Sequence, residues 1–215
     1  MTQLLQARDI SLDELHEQFG LRRTSEKSFF PEWQEAASSS SDSEQTKLRR
    51  VQENYLNLAN RKNFSEEAVK MVVLSPLLDL AGFYQAPFAL ETEDSVEIIA
   101  TDSDLLVKGK IDVLVVRHKL WILVIESKST QFDVLTALPQ ALTYMLGNPQ
   151  PNNPVYGLLV NGREFVFIKL TNAGETNSNP IYARSYALSL ERNGDLKQVL
   201  ETLKVIRKKV LESKS

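Results

Sequence analysis

GKIDVLVVRHKLWILVIESK, residues 109–128, decides the fold of this chain. Its second half carries five apolar residues in a row, Trp121, Ile122, Leu123, Val124 and Ile125, the pattern of a strand buried on both faces. Its first half is a second apolar run broken by one carboxylate, Asp112. Arg117, His118 and Lys119 between them read as the turn of a β-hairpin. Glu126 and Lys128 stand two apart and so share one face of the second strand. With a three-residue loop, His118 to Leu120, paired positions sum to 238 and Asp112 lies opposite Glu126, about 5 Å away at Cβ. A four-residue loop shifts the register by one and sends the two acids to opposite faces.

Two carboxylates this close repel, and one must take up a proton unless a cation sits between them. A divalent cation removes that penalty, and hard oxygen ligands suit magnesium or manganese. Lys128 beside them can stabilise charge developing on a phosphate. The same spacing also allows Asp112 and Glu126 to pair with Lys110 and Lys128 as salt bridges at a sheet margin. Spacing alone leaves both open.

Outward from this hairpin, further strand patterns lie at 96–100, 155–160, 164–170 and 181–187, and helical patterns at 133–146 and 196–211. Asn161-Gly162 marks a two-residue hairpin turn if Arg163 belongs to the following strand. Upstream, Ser65 is a helix N-cap followed by Glu66 and Glu67, where the dipole favours acids. The helix it opens is apolar on nearly every side as far as Gly82 and so is expected to be buried, and Pro76 predicts a kink or break before Leu77. Helix, strands, helix, strands, helix is the order of a mixed α/β sheet covered by helices.

Residues 1–60 read as a helical arm apart from a main domain at 61–215. Ser11 and Glu14 form a capping box, Leu12, Leu15 and Phe19 one apolar side, and Gly20 the stop. Phe29, Phe30 and Trp33 surround Pro31 and are expected to dock the arm on its own domain. A Ser-rich stretch, 36–43, reads as a linker, and a second helix is expected from about 44 to 60.

Composition removes whole classes of function. The chain has 215 residues and no cysteine, so disulfides, thiolate zinc sites and cysteine nucleophiles are excluded. Its two histidines do not make a multi-histidine metal site. Lys and Arg total 25 against 28 Asp and Glu, a net charge of −3, which leaves only a local basic groove for nucleic acid. Lys204, Arg207, Lys208, Lys209 and Lys214 near the C-terminus can contact phosphates or simply end a solvated helix. No apolar run is long enough to span a membrane and no signal peptide is evident, so a cytoplasmic protein is expected.

Asp112, thirteen intervening residues, then Glu126-Ser127-Lys128 resembles the core motif of the PD-(D/E)xK nuclease superfamily. Glu66, ten residues before Pro76, is similar to the helix-borne acid of one branch. Gln140-Ala141-Leu142-Thr143-Tyr144 is similar to that branch's QxxxY element, and the hairpin around Asn161-Gly162 to its next strand pair. That branch is the N-terminal nuclease domain of type I restriction enzyme R subunits, together with bacterial proteins carrying the domain alone. The resemblance covers roughly residues 60 to 215.

The resemblance implies a restriction-endonuclease-like fold and magnesium- or manganese-dependent hydrolysis of DNA. It implies that Asp112 and Glu126 are metal ligands with the Ser127 carbonyl, and that Lys128 is the catalytic lysine. Glu66 would be an outer ligand or would position water. Gln140 and Tyr144, four apart on one helical face, would support the site and contact the nucleic-acid backbone. Glu67 is the rival helix acid: Glu66 lines up with Val69, Val73 and Pro76, and Glu67 with Met71, Leu74 and Leu78.

Ile111 stands where the superfamily's name has proline, and there is no G-x-x-x-x-G-K-[ST] phosphate loop. A stand-alone nuclease is therefore expected, acting on DNA, with a separate helicase, translocase or specificity protein as partner and a homodimer as its assembly. Its rival is a catalytically silent module of the same fold that binds nucleic acid or protein.

Overall fold

Runs of apolar residues on both sides of the 109–128 segment assemble a single mixed sheet. The computed structural model describes residues 3–34, 41–60, 64–99, 105–117, 120–150, 153–171 and 179–212. Among these, the strand order is β1 (Gln3–Gln6), β4 (Leu105–Arg117), β5 (Leu120–Ser127), β6 (Val155–Val160), β7 (Glu164–Thr171), β8 (Ile181–Arg184) and β2 (Arg22–Arg23). β3 (Phe88–Ile99) runs antiparallel along one edge of β4, while β1 and β5 share the other edge end to end. β9 (Leu188–Ser189) adds to β7. The architecture is a mixed α/β sheet flanked by helices, consistent with a restriction-endonuclease-like fold.

Side-chain alternation divides the interior into two cores. On β7, Phe165 and Phe167 pack on one face with α2 (Asp42–Ala59) and α6 (Asp195–Glu212); Val166 and Ile168 pack on the other with α5 (Leu138–Leu146). The first face also takes the helical run made of α3 (Glu66–Val69), a π-turn at Lys70–Leu74, and α4 (Ser75–Ala81). The second takes α1 (Leu12–Phe19), held at its start by the expected Ser11–Glu14 capping box.

Several expectations need correction. Residues 3–34 are not a helical arm beside the domain: β1 pairs with β4 and β2 with β8, so this segment contributes two strands to the sheet. Docking is nonetheless intramolecular: Phe30 is buried, Trp33 packs edge-on to Tyr186, and buried Glu32 accepts bonds from Lys169 Nζ and Tyr156 Oη, both at 2.9 Å. Of the 36–43 linker, 36–40 lie outside the described residues, and Asp42 and Ser43 already belong to α2, capped by Ser41.

Pro76 does not end the helical run, and it sits in the first turn of α4. The irregularity precedes it as the π-turn, where the Ser75 N–H donates to the Lys70 carbonyl five residues back. Nor is that helix buried all round, since Met71 is 75% exposed. In the β6–β7 hairpin the turn is Gly162-Arg163, one residue later than expected: Asn161 N–H donates to the Glu164 carbonyl, and Gly162 takes φ +86°.

The C-terminal cations are largely used within the fold. Lys204 bonds Glu44 at 2.6 Å, Lys209 lies 3.5 Å from Glu32, and Arg207 donates to the Gly82 carbonyl. Lys214 lies outside the described residues. No helix among the described residues is long and apolar enough to cross a membrane.

Candidate active site

The register that brings Asp112 to Glu126 is reached by a different route from the one the loop length implied. Arg117 pairs with Leu120 and Val116 with Trp121, positions that sum to 237; Val115 pairs with Leu123 and Val113 with Ile125, which sum to 238. Ile122 is the extra residue of a β-bulge between the two registers. Without the bulge, Asp112 would face Ile125 and Glu126 would turn away. With it, the Asp112 N–H points at Glu126 Oε1, 3.5 Å away.

Glu126 is fully buried. Burial first, and then the charge of Asp112, push its carboxyl up to about 8, with Lys128 acting the other way. Its Oε2 has no hydrogen-bond partner; the nearest cation, Lys128 Nζ, is 3.9 Å off. Lys128 instead donates to Gln140 Oε1 at 3.3 Å, and Gln140 Nε2 donates to Tyr144 Oη at 3.1 Å. Tyr144 is buried, its hydroxyl pushed up to about 12 by burial and by the charge of Glu126. It fits against β4 because Gly109 has no side chain: a Cβ there would lie 2.5 Å from Tyr144 Oη. The Lys128 backbone N–H is anchored on the Val160 carbonyl at 2.8 Å, so β6 fixes where the lysine begins.

Asp112 is more heavily engaged. Its Oδ2 accepts from the Ser127 N–H at 2.8 Å and the Ser127 hydroxyl at 3.0 Å. Its Oδ1 accepts from Lys70 Nζ at 2.9 Å. Burial lowers the affinity of Lys70 for its proton, but the bond to Asp112, that group's charge, and Glu66 and Glu67 together outweigh it and raise its pKa. Lys70 opens the π-turn one helical turn after the two glutamates. Glu67 folds back onto its own N–H and Ser65, which lowers its pKa and leaves it facing solvent. Glu66 is the less exposed of the pair.

Asp112, Glu126, Lys128, Gln140 and Tyr144 therefore converge, and the charges of Glu66 and Glu67 bear on Lys70. Among the described residues no group of three Asp, Glu, His or Cys side chains is disposed to hold a metal, so neither helix glutamate completes a set with Asp112 and Glu126. The chemistry of the two strand carboxylates nevertheless fits a hard divalent cation. Glu126 Oε2 is a buried oxygen without a partner, and Asp112 Oδ1 is free for a cation once Lys70 withdraws. Water molecules would fill most of the remaining coordination positions.

Lys70 was not assigned a role from sequence. Its one signal is the spacing: four residues after Glu66 and three after Glu67, it shares their helix face. The Ser127 side chain was missed too, since only its carbonyl was expected to act.

No protein-family model matches the chain, and no curated protein matches it. Among solved structures it is similar to a fragment of a candidate HsdR subunit of a type I restriction enzyme from Vibrio vulnificus YJ016. The identity is 21%, over 49% of this chain and 21% of that one, with a TM-score of 0.36. A likeness of that extent says nothing about activity.

Proposed function

We propose that this chain is a metal-dependent deoxyribonuclease of the PD-(D/E)xK kind, similar in its motifs to the nuclease domain of type I restriction R subunits. The observation that carries the reading is the convergence of Asp112, the buried and partnerless oxygen of Glu126, and Lys128 at one end of two central strands. A buried carboxylate with an oxygen that accepts no hydrogen bond is costly to keep, and a bound cation would relieve that cost.

Asp112 and Glu126 would hold magnesium or manganese, with the Ser127 carbonyl as a further oxygen. When bound, the metal would supply charge neutralisation at the scissile phosphate. Ser127 holds Asp112 Oδ2 through two donors and so fixes the rotation of that carboxylate. Lys128, aimed by Gln140, presents its ammonium to the charge that develops on the phosphate. Tyr144 holds Gln140, and Glu66 serves from the adjoining helix through Lys70. We place its action in the cytoplasm on DNA, in restriction-modification or DNA processing. A separate helicase, translocase or specificity protein would be its partner, and a homodimer would cut both strands.

One observation favours the silent binding module instead. The Lys70 ammonium on Asp112 neutralises that carboxylate with no metal at all. The two functions separate on supercoiled, linear and single-stranded DNA incubated with Mg²⁺ or Mn²⁺. A nuclease cuts at least one form, and Asp112→Asn and Glu126→Gln each abolish cutting. A module cuts none with either metal.

A further inference from the structure

We infer that the cleft leading from Asp112 between the α3–α4 run and β3 receives a nucleobase that has left its stack beside the scissile phosphate. The substrate is then DNA with an unpaired nucleotide at the cut: a single strand, a frayed end or a junction. This deepens the nuclease reading and rests on it.

The cleft begins at the candidate site. Asp112 and Lys70 belong to its lining, and its volume is about 530 Å³, within the range of small-molecule sites. Its two walls lead away from the carboxylate in the same direction. One is the helical stripe Glu67, Met71, Leu74 and Leu78, at steps of four, three and four residues. Leu78 stands two helical turns past Lys70, about 11 Å along the axis. The other wall is β3, where Thr92 pairs with Val113, the residue after Asp112, and Leu90 pairs with Val115. Tyr84, brought back along α4 by the turn at Gly82, donates from its hydroxyl to Ser75 Oγ at 2.7 Å, which holds the ring in the lining.

Charged and apolar groups are segregated along the cleft. The charged side chains that line it stand together: Lys70 bonds Asp112, and the charges of both bear on Glu67. Beyond them come Met71, Leu74, Leu78, Tyr84 and Leu90, with the hydroxyl of Thr92 among them. That is the polarity of a nucleotide, whose phosphate is charged and whose base is a flat ring with hydrogen-bonding edges. A cation on Asp112 would bring the phosphate to the first end, and the base would extend along the second. Met71 and Tyr84 are both exposed, and a thioether and a phenol ring give a base a surface to stack on. A paired base must be unstacked before it can enter, a cost that an unpaired base largely avoids.

The test is fluorescence anisotropy with two probes, a 20-nucleotide oligothymidylate and an abasic backbone of the same length. It is run in Ca²⁺, a hard cation of looser coordination than Mg²⁺, with the probes checked to be intact. Wild type is compared with Met71→Ala/Tyr84→Ala, with Tyr84→Phe, and with Leu58→Ala, which trims an exposed leucine of α2 as a control. Wild type should bind the oligothymidylate at least about tenfold more tightly than the abasic backbone. The alanine pair should lose that preference and keep its affinity for the abasic backbone; Tyr84→Phe and Leu58→Ala should keep the preference. Equal wild-type affinity for the two probes, no wild-type binding, or an undiminished preference in a folded alanine pair overturns the base site. Cutting in Mg²⁺ is then measured on the oligothymidylate and on a blunt 20-base-pair duplex. Faster cutting of the duplex also overturns the base site and leaves the nuclease standing. A protein that cuts neither in Mg²⁺ or Mn²⁺, yet still prefers the oligothymidylate, overturns the nuclease reading and leaves the base site in place.

Discussion

Lys70 Nζ lies 2.9 Å from Asp112 Oδ1, on the oxygen that faces away from Ser127. A helix-borne ammonium thus occupies the side of Asp112 from which a divalent cation would be held. The two cations compete for one anionic position, and the outcome sets how the site responds to metal.

Removing that competitor should tighten metal binding. Lys70→Met is expected to bind Mn²⁺ at least about tenfold more tightly than wild type, equivalent to ~1.4 kcal/mol. Calorimetry or the loss of the free-ion EPR signal measures it. Unchanged or weaker affinity would show that Lys70 does not stand in the metal's place.

The metal-free protein should lose stability as pH rises. Glu126 titrates near 8 in the folded chain against an ordinary value of 4.5, so the folded state binds more protons than the unfolded one between these values. The stabilisation tied to protonated Glu126 is complete below about pH 4.5 and is lost as pH climbs through about 8. Thermal unfolding in EDTA should show the midpoint falling across this window. Glu126→Gln should flatten the fall, and saturating Mg²⁺ should oppose it. A midpoint that rises over the same range, in wild type alone, contradicts the assignment.

Gly109 should tolerate no side chain. A Cβ would meet Tyr144 Oη at 2.5 Å and Ala7 Cβ at 2.8 Å, so Gly109→Ala must push the tyrosine off Gln140 or shift the turn that follows β1. A cost of about 1–3 kcal/mol is expected from such overpacking. Cleavage should fall further than in Tyr144→Phe, which keeps the ring in place. Denaturant unfolding and a cleavage assay on both variants separate the two effects.

Glu32 should be the main anchor of the N-terminal segment. It is buried and shared by Lys169, Lys209 and the Tyr156 hydroxyl. Glu32→Ala leaves the largely buried Lys169 without its partner and should cost about 3 kcal/mol in urea unfolding. Proteolysis within residues 3–34 should accelerate in the same variant. A change below about 0.5 kcal/mol would mean that apolar packing of Phe30 and Trp33 holds the segment alone.

The chain's own pattern made much of this legible, for identifiable reasons. The apolar runs at 109–128 and 155–170 specify buried strands whatever surrounds them, and Ser11, Ser65 and Gly82 mark helix ends by local chemistry. β1 and β2 were not visible because Gln3–Gln6 and Arg22–Arg23 have little strand preference and become strands only by pairing with β4 and β8. The opposition of Asp112 and Glu126 depended on the Ile122 bulge, a feature with no signal in an unbroken apolar run. Lys70 escaped for a similar reason: that it reaches Asp112 is a property of how α3 docks on the sheet.

The central claim is that Lys128 acts on a phosphate held at a metal bound by Asp112 and Glu126. Its most direct measurement is the rate at which supercoiled plasmid becomes nicked or linear in Mg²⁺, for wild type and Lys128→Met, with Mn²⁺ affinity measured on the same preparations. Wild type should cut, Lys128→Met should lose about 10²–10³-fold in rate, and metal affinity should change little. Equal cutting by the two proteins, or none by wild type with the metal demonstrably bound, would contradict the claim.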